Sequence, residues 1–303
     1  MNKFLKYALI AVVFLCLGLC LRLASASFFA DTEKKESLSA SVSESAEVFS
    51  SVDIKEDKPA IAPKDLQVEA ALVIDLSSGS EIFSVDKEKR WPLASTSKIM
   101  SSIIALENMD QDSEVEISAN AVATEGVAGL LLEKDKYTVS DLISAMMIVS
   151  SNDAAVALME SMPEGKFVSL MNEKAASLGM SNTYFTEPTG LSTLNQSSAE
   201  DMSRLLSYAW TSHPEIFKIS SHTQIKIKEI VSGKSRVLKN INALSAKNNF
   251  LGGKTGFTED ARENLVAVIG FGKKPIGIII LGAENRAVEA DKIIKFLEAD
   301  NKK

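Results

Sequence analysis

The chain of 303 residues is 46% hydrophobic, which is enough to bury the core of one large or two modest domains and excludes disorder throughout. Its 33 basic and 40 acidic residues give a formal net charge of −7, so no overall basic field attracts nucleic acid, which is not an expected partner. With only His213 and His222 to supply imidazole, and both cysteines inside the first apolar segment, the chain cannot build a three-histidine zinc site or, beyond that segment, a thiol nucleophile. We expect neither a metal nor another cofactor.

Residues 1–26 have the pattern of an export segment. Two lysines precede an uncharged apolar run over 7–21, and Ala24-Ser25-Ala26 has the small-x-small form of a cleavage site. The run is shorter than the roughly 20 residues that span a bilayer, although the flanking Lys6 and Arg22 could snorkel and extend it. The segment is therefore either a cleaved signal peptide or an uncleaved membrane anchor. In both cases the rest of the chain is predicted to be extracytoplasmic.

Residues 27–65 form a predicted disordered linker. The composition changes there to Ser, Glu, Asp, Lys and Ala, with Pro59 and Pro63 near the end and few apolar residues at helical spacing. Such a segment could tether a domain at a distance from a membrane or simply separate it from a signal.

The folded domain is predicted over 66–300, and its first element is a hairpin. An apolar strand over 68–76 is followed by a Ser-Gly turn and a second strand over 81–85. After Pro92, apolar residues recur at helical spacing over 99–106, which predicts a helix. The same periodicity predicts further helices over 140–149, 154–162, 164–178 and 199–210.

After His222 the period changes to that of strands, and a last helix follows. The predicted strands cover 224–231, 264–271 and 276–281, and the last helix covers 289–297. Strands at both ends of a helical middle predict an α/β fold of the α+β type. In this fold the N- and C-terminal segments form one antiparallel sheet, helices cover it, and a helical subdomain lies between the two halves.

Ser95 and Lys98 form the first candidate catalytic pair, in Ser95-Thr96-Ser97-Lys98 at the start of the predicted helix. Residues at i and i+3 share a helical face, so the amine can reach the hydroxyl, and the free N–H groups of a first helical turn can bind an anion. The pattern suits a serine nucleophile. The same Ser-x-x-Lys spacing at Ser84 and Lys87 lies on a predicted strand, where we expect the two side chains to point to opposite faces.

Ser150-Ser151-Asn152 is the second candidate element. It lies between two predicted helices, on a short connection whose polar side chains can project into a cleft. An ordinary helix cap is the competing interpretation, both here and at Ser118-Ala119-Asn120, which has the same Ser-x-Asn spacing.

Gly252-Gly253-Lys254-Thr255-Gly256 is the third element, ahead of the strand predicted over 264–271. We expect its glycines to let a ligand approach the backbone closely. Lys254 and Thr255 place a cation beside a hydroxyl, a combination that is suited to binding a carboxylate.

Ser-x-x-Lys, Ser-x-Asn and Lys-Thr-Gly in this order form a joint signal. On these motifs the sequence resembles the serine penicillin-binding proteins, and within them the low-molecular-mass D-alanyl-D-alanine carboxypeptidases, over about 66–281. The likeness extends to Pro92-Leu93-Ala94-Ser95 and Ser151-Asn152-Asp153-Ala154-Ala155. It implies a β-lactamase/transpeptidase-like fold and a serine D,D-carboxypeptidase that removes the terminal D-alanine from peptidoglycan pentapeptide stems.

The resemblance also implies a role for each motif residue. Ser95 is the nucleophile, Lys98 takes its proton, and Ser150 relays a proton to the leaving amine. The residues implied in substrate binding are Asn152 for an amide, Lys254, Thr255 and Gly256 for the terminal carboxylate, and Phe257, whose N–H joins that of Ser95 at the oxyanion. A base at Lys98 requires a lowered pKa, which we expect from burial and from the nearby charge of Lys254.

Four departures from the family pattern leave every catalytic group in place. The family usually has Thr at Ser97, Asn at Glu187, Asp at Leu251 and Ala-Gly at Ala261-Arg262. Glu187 and Arg262 add charges that we expect to border the cleft and to affect specificity and rate.

Three alternatives remain open. A D,D-endopeptidase that cuts peptidoglycan crosslinks would show nearly identical motifs. A serine β-lactamase would need a further glutamate to activate the deacylating water, and a Glu-x-x-Leu-Asn segment is not found between Asn152 and Lys254. A non-catalytic cell-wall-binding module would be expected to have lost Ser95, Lys98 or Lys254. The expected partners are a stem peptide ending in D-Ala-D-Ala and β-lactams as covalent inhibitors, with the enzyme acting as a monomer. If residues 1–26 are an uncleaved anchor, we expect the N-terminus to tether the enzyme to the membrane.

Overall fold

A computed structural model describes residues 66–126, 129 and 131–300. The export segment predicted over 1–26 and the linker predicted over 27–65 lie outside the described residues. Within the described part, no helix is both long enough and apolar enough to cross a bilayer.

A five-stranded antiparallel sheet joins the two ends of the domain. The strands are β1 (Ala70–Asp75), β2 (Ser80–Val85), β9 (Phe250–Thr258), β10 (Arg262–Phe271) and β11 (Lys274–Ala283). Their order in the sheet is β2-β1-β11-β10-β9. In the register, Ala70 lies opposite Leu281, so N- and C-terminal strands are direct neighbours, as predicted. The strand β9 is an edge of this sheet.

Both faces of the sheet are covered, which explains why its central strands are continuous apolar runs. On β1, Leu72 packs into a large cluster with the helices of the middle segment, whereas the next residue, Val73, packs into a second cluster under the C-terminal helix. In that second cluster, Phe83 and Phe296 meet edge to face at 5.4 Å between ring centroids. The prediction of an α+β fold with a helix-covered sheet is confirmed.

Five of the seven helices described in the middle segment lie close to predicted positions, and the other two were not predicted. They are α1 (Lys98–Asn108), α2 (Ala119–Val122), α3 (Val139–Ile148), α4 (Asn152–Glu160), α5 (Lys166–Ser177), α6 (Ala199–Ser212) and α7 (Pro214–Ser221), and the C-terminal helix is α8 (Arg286–Asp300). Side chains of Ser118, Thr138, Ser151 and Ser198 accept the capping hydrogen bonds of α2, α3, α4 and α6.

Several short elements were not predicted from the sequence. These are β3 (Trp91–Pro92) paired with β6 (Gln196–Ser197), β4 (Glu114–Glu116) paired with β5 (Lys136–Thr138), α2 and α7. Pairs of two or three residues carry too little periodicity to be recognised. The strand predicted over 224–231 is shorter than expected, and forms a separate hairpin of β7 (Gln224–Lys228) and β8 (Ser235–Lys239). The strand β7 ends at Lys228, just before Glu229, whose carboxylate accepts hydrogen bonds from the N–H groups of Val231 and Ser232 and so turns the chain there.

Candidate active site

Ser95 lies in a tight turn ahead of α1. Residues Ala94–Ser97 form a 3₁₀ turn, so the expectation that Ser95 opens the α-helix itself is wrong by one turn. In a 3₁₀ turn the side chains at i and i+3 eclipse, which aligns Ser95 with Lys98 at the first position of α1. Ala94 has a φ of 47°, an uncommon conformation for a residue with a Cβ.

Other parts of the chain hold this turn in place from two sides. The side-chain amide of Asn264 donates to the carbonyl oxygens of Pro92 (2.8 Å) and Leu93 (3.0 Å). Gly190 lies against the turn so closely that a Cβ there would overlap the Ala94 carbonyl. The geometry of the turn is therefore set by packing, which offsets the strain at Ala94.

Lys98 is fully buried and makes three hydrogen bonds. Its Nζ donates to Ser95 Oγ at 2.9 Å, to Asn152 Oδ1 at 2.6 Å and to the Thr189 carbonyl oxygen at 2.6 Å. Desolvation by burial lowers the pKa of Lys98 to about 7, although the charge of Glu187 acts in the opposite direction. A substantial fraction of Lys98 is thus neutral at neutral pH and able to accept the Ser95 proton.

Ser150 and Asn152 lie where α3 ends and α4 begins. Ser150 occupies the connection with a φ of 63°, and Ser151 caps α4 by accepting the Ala154 N–H at 3.2 Å. Asn152 is the first residue of α4, and its side chain also donates to the Glu125 carbonyl at 2.7 Å. Both interpretations of the Ser-x-Asn motif therefore hold, for different residues: Ser151 is a cap, and its two neighbours face the other motifs.

Lys254 lies on the edge strand β9 and is 1% exposed. Its Nζ donates to Ser150 Oγ at 3.0 Å and to the Thr255 carbonyl at 2.7 Å. Burial lowers the pKa of Lys254 well below its ordinary value, and the charges of Lys98 and Arg286 lower it further. The three motifs thus form one connected site.

The glycines of the third motif have a different purpose from the expected one. A Cβ at Gly252 would lie 2.5 Å from the Phe217 carbonyl oxygen of α7, and one at Gly256 would lie 2.9 Å from the Leu93 carbonyl. The expectation that Gly252 and Gly256 leave room for a ligand is therefore wrong, because the space beside each glycine is filled by the protein's own backbone. They allow β9 to pack against α7 and the Ser95 turn.

Arg286 is a site residue that was not predicted from the sequence. It is the first residue of α8, and its Nη1 donates to the Gly256 carbonyl at 2.5 Å. With Thr255 and Glu263, it lines a cavity of about 190 Å³. Phe257, which follows Gly256 on β9, is 60% exposed. No local signal marks Arg286, because it follows the motif by some thirty residues and approaches only through the packing of α8.

Glu187 borders the site, as expected from its place among the departures. Its carboxylate accepts hydrogen bonds from Thr189 N and Oγ1 at 2.6 and 2.5 Å and from Gly190 N at 2.7 Å, with Ser192 N and Asn195 Nδ2 as further donors. These bonds shape the loop whose Thr189 carbonyl receives Lys98. Glu187 therefore positions the carbonyl group that binds Lys98 and places a negative charge close to this lysine.

The other departures contact neighbouring parts of the domain. Ser97 Oγ accepts a 3.4 Å hydrogen bond from Asn195 Nδ2, Leu251 packs on the larger core cluster, and Arg262 pairs with Glu69 at 3.0 Å.

The second Ser-x-x-Lys sequence, at 84–87, and the second Ser-x-Asn sequence, at 118–120, lie apart from these contacts. Ser118 caps α2 through the Ala121 N–H. Ser84 Oγ and Lys87 Nζ both bind the Glu81 carboxylate, at 2.6 and 2.7 Å, so the expectation that they point to opposite faces is wrong. Lys87 lies beyond the end of β2, where strand alternation no longer applies.

Chemically, the site pairs each of two serine hydroxyls with its own buried lysine. Such an arrangement can activate one hydroxyl as a nucleophile and the other as a proton donor, next to cationic groups for an anion. Among the described residues, no group of three or more His, Cys, Asp or Glu side chains could hold a metal ion.

Comparison with known proteins agrees with this geometry. The peptidase S11 family, described as D-alanyl-D-alanine carboxypeptidase, matches residues 56–285. A D-alanyl-D-alanine endopeptidase of Escherichia coli is 31% identical over 71% of each chain. A D-alanyl-D-alanine carboxypeptidase of Bacillus subtilis is 27% identical over 77% of this chain and 61% of its own. The crystal structure of a D-alanyl-D-alanine carboxypeptidase from Mycobacterium tuberculosis superposes with a TM-score of 0.73 at 25% identity, covering 79% of this chain and 94% of that one.

Proposed function

The chain belongs to the D-alanyl-D-alanine carboxypeptidase family of serine peptidases, and on this premise we propose that it removes the terminal D-alanine from peptidoglycan pentapeptide stems through an acyl-enzyme on Ser95. The observation that carries the proposal is the 2.9 Å hydrogen bond between Ser95 Oγ and a fully buried Lys98 whose pKa is lowered to about 7.

In the acylation step, Ser95 Oγ forms a bond to the carbonyl carbon of the penultimate D-alanine while its proton passes to neutral Lys98. The main-chain N–H groups of Ser95 and Phe257 are the proposed donors to the oxyanion. Asn152 holds the Lys98 amine through its Oδ1 and is proposed to orient the substrate amide. Breaking the bond between the carbonyl carbon and the amide nitrogen releases the terminal D-alanine.

Release of D-alanine needs a proton on its amine and a partner for its carboxylate. Ser150 is the proposed donor of the proton, and adjacent Lys254 can replace it while Lys98 holds the proton taken from Ser95. Lys254 and Thr255 are proposed to bind the carboxylate with the backbone at Gly256, and Arg286 adds a second cation nearby. Water that enters the vacated site carries the proton held by Lys98 back to Lys254. A water molecule then attacks the ester with neutral Lys98 as base, and the proton that Lys98 takes passes to Ser95 Oγ as the acyl group leaves, which restores Ser95.

Covalent labelling with a fluorescent penicillin tests the proposal, because a β-lactam resembles D-Ala-D-Ala and traps the acyl-enzyme. Mass spectrometry should locate the adduct on the tryptic peptide 91–98, and the Ser95→Ala variant should not be labelled. The matched control is Ser84→Ala, which removes the serine of the other Ser-x-x-Lys motif and should label normally. Labelling that survives Ser95→Ala would show that the nucleophile is misassigned.

A D,D-endopeptidase activity is the second candidate, supported by the 31% identity with the endopeptidase of Escherichia coli. The two activities share the chemistry and differ in the amine that leaves: free D-alanine or the side chain of a crosslinked stem. Parallel assays with a pentapeptide monomer and a crosslinked muropeptide dimer distinguish them. The present proposal requires a higher kcat/KM for the pentapeptide.

A serine β-lactamase is less consistent with the site. The acidic residue whose charge reaches Lys98, Glu187, already accepts hydrogen bonds from loop N–H groups on both carboxylate oxygens. Because these hydrogen bonds occupy both carboxylate oxygens, Glu187 is not available as a base that activates the deacylating water. We therefore expect the penicilloyl group to be released slowly from Ser95. Loss of the fluorescent label over time measures this release.

We place the domain outside the cytoplasm, exported by residues 1–26 and spaced by 27–65, and expect it to act as a monomer. N-terminal sequencing of the exported protein should begin at Ser27 if the segment is a cleaved signal. Recovery of intact Met1 in a membrane fraction would instead establish an N-terminal anchor. Size-exclusion chromatography with light scattering tests the monomer.

A further inference from the structure

The β7–β8 hairpin has one exposed face that is rich in lysine. Directly opposed residues of an antiparallel pair share a face. In this register the exposed pairs are Gln224 with Lys239, Lys226 with Val237, and Lys228 with Ser235, and we refer to these six residues as the hairpin face. The opposite face, with Ile227 and Leu238, is buried against the domain.

The charge of this region contrasts with that of the chain. Residues 218–247 contain seven basic residues and one acidic residue, a net charge of +6 within a chain of net charge −7, so the remainder carries −13. The acidic residue, Glu229, is 4% exposed and accepts main-chain N–H groups. Among the described residues, Lys226, Lys228 and Lys239 of the hairpin face form no ion pair, whereas Arg236 on the other face is paired with Asp135.

The base of the hairpin is connected to the candidate active site. The Ile241 N–H donates to the Ile148 carbonyl at 3.1 Å, two residues before Ser150. The preceding residue, Asn240, also follows β8, and its Nδ2 donates to the Ser220 carbonyl at 2.8 Å; Ser220 Oγ in turn accepts the N–H of Gly253, the residue before Lys254. The hairpin therefore begins beside the Ser150–Lys254 side of the site, and its five-residue strands extend over about 17 Å, at about 3.4 Å for each residue.

We propose that the hairpin face binds the anionic peptidoglycan polymer next to the stem that is being cleaved, so that the preferred substrate is the assembled wall and not a soluble muropeptide. The inference rests on the proposed function. Stem peptides carry free carboxylates at intervals along the glycan, and lysines, as flexible point charges, suit such a diffuse polyanion. The hairpin adjoins the catalytic site, which favours the wall over an anionic membrane as the ligand of the hairpin face. A surface that binds a membrane would not need to lie beside the site that cleaves the stem.

The test compares two triple variants of the full-length protein with the same change in net charge. One is Lys226→Ala/Lys228→Ala/Lys239→Ala. The matched control is Lys134→Ala/Lys166→Ala/Lys273→Ala, at three exposed lysines elsewhere in the domain. The assays are co-sedimentation with purified sacculi at low and high salt, release of D-alanine from sacculi, and kcat/KM with a soluble pentapeptide.

We expect the hairpin variant to lose about tenfold in sacculus binding and in D-alanine release from sacculi at low salt, with a weaker salt dependence than the wild type. Its soluble-pentapeptide kinetics and penicillin labelling should equal those of the control. Wild-type sacculus binding by the hairpin variant would overturn the inference, as would hairpin-dependent binding to anionic lipid vesicles without binding to sacculi. Failure of the proposed function is a separate result, because a wild-type protein without peptidase activity could still sediment with sacculi.

Discussion

Lys254 donates a hydrogen bond of 3.0 Å to the hydroxyl of Ser150. Lys98 makes the corresponding bond to Ser95 at 2.9 Å, so the site contains two serine–lysine pairs, both with buried amines. Because each hydroxyl has its own nitrogen partner, proton removal from the nucleophile and proton delivery to the leaving group can be tested separately.

Replacement of Lys98 by arginine should abolish acylation. Arginine stays charged at all relevant pH values and cannot take the Ser95 proton, and general-base assistance of this kind is worth about 10²- to 10⁴-fold. Stopped-flow measurement of the penicillin acylation rate provides the readout. Lys254→Arg is the control, since it retains a cation and should keep part of the activity. An acylation rate near that of the wild type in Lys98→Arg would exclude Lys98 as the base.

The pH profile should report the ionisation of Lys98. Its pKa is lowered to about 7, so below that pH the amine is protonated and cannot act as a base. Wild-type kcat/KM is therefore expected to rise as the pH increases through about 7 and then to level off. In Lys254→Ala, loss of a neighbouring positive charge should move the rising limb of kcat to higher pH, because the substrate carboxylate keeps Lys254 charged in the wild-type complex. A shift to lower pH would contradict this assignment.

Glu187→Gln should move the same limb in the opposite direction. The negative charge of Glu187 raises the pKa of Lys98, so its removal lowers that pKa and moves the limb to lower pH. Glutamine also turns an NH₂ group toward N–H donors of the loop, which should cost about 1–3 kcal/mol in unfolding free energy. The exposed Glu133→Gln is the charge-matched control and should leave the profile unchanged. If the variant loses stability without any shift of the pH profile, the role of Glu187 is purely structural.

Asp153→Asn should stabilise the protein at neutral pH. Asp153 is 4% exposed, its Oδ1 has no hydrogen-bond partner among the described residues, and burial raises its pKa to about 6. Since the folded-state pKa lies above the unfolded value, the folded state binds the proton more tightly, and the wild type gains stability as the pH falls from about 6 toward 4. Above pH 6 the buried charge is a cost of about 1–3 kcal/mol, which the neutral amide removes.

Chemical denaturation at pH 5 and pH 8 measures the effect of Asp153→Asn, with the gain expected to be larger at pH 8. Asp201→Asn is the contrasting variant: this carboxylate is equally buried but accepts hydrogen bonds from Asn182, Thr183 and Arg204. Its replacement should be destabilising. A destabilised Asp153→Asn would indicate that its charge has a partner that stabilises it.

Gly190→Ala should impair acylation far more than a glycine replacement elsewhere. Its added Cβ would overlap the Ala94 carbonyl and displace the turn that carries Ser95, besides the strain of a φ of +85°. Gly179→Ala has a similar φ of +68° and open space around the new Cβ, so it isolates the backbone cost. Thermal unfolding and penicillin acylation should both be measured. Equal acylation rates in the two variants would show that the turn tolerates displacement.

Those features that depend on neighbours in the chain could be predicted from sequence. The i, i+3 spacing of Ser95 and Lys98 brings their side chains together in either kind of helical turn, and helical and strand periods located the principal elements. The apolar runs at the two ends of the domain predicted the shared sheet, since strands buried on both faces must pair within the core.

Tertiary structure alone decided which groups surround the motif residues. The Thr189 carbonyl that receives Lys98 is 91 residues away along the chain, and Lys254 and Ser150 are 104 residues apart. Arg286 reaches Gly256 only because α8 packs on the sheet, and Gly252 is required by the main chain of α7 and not by a ligand. Such contacts follow from the relative placement of whole elements, which depends on the summed packing of the core, whereas local spacing encodes only which residues of one element lie side by side.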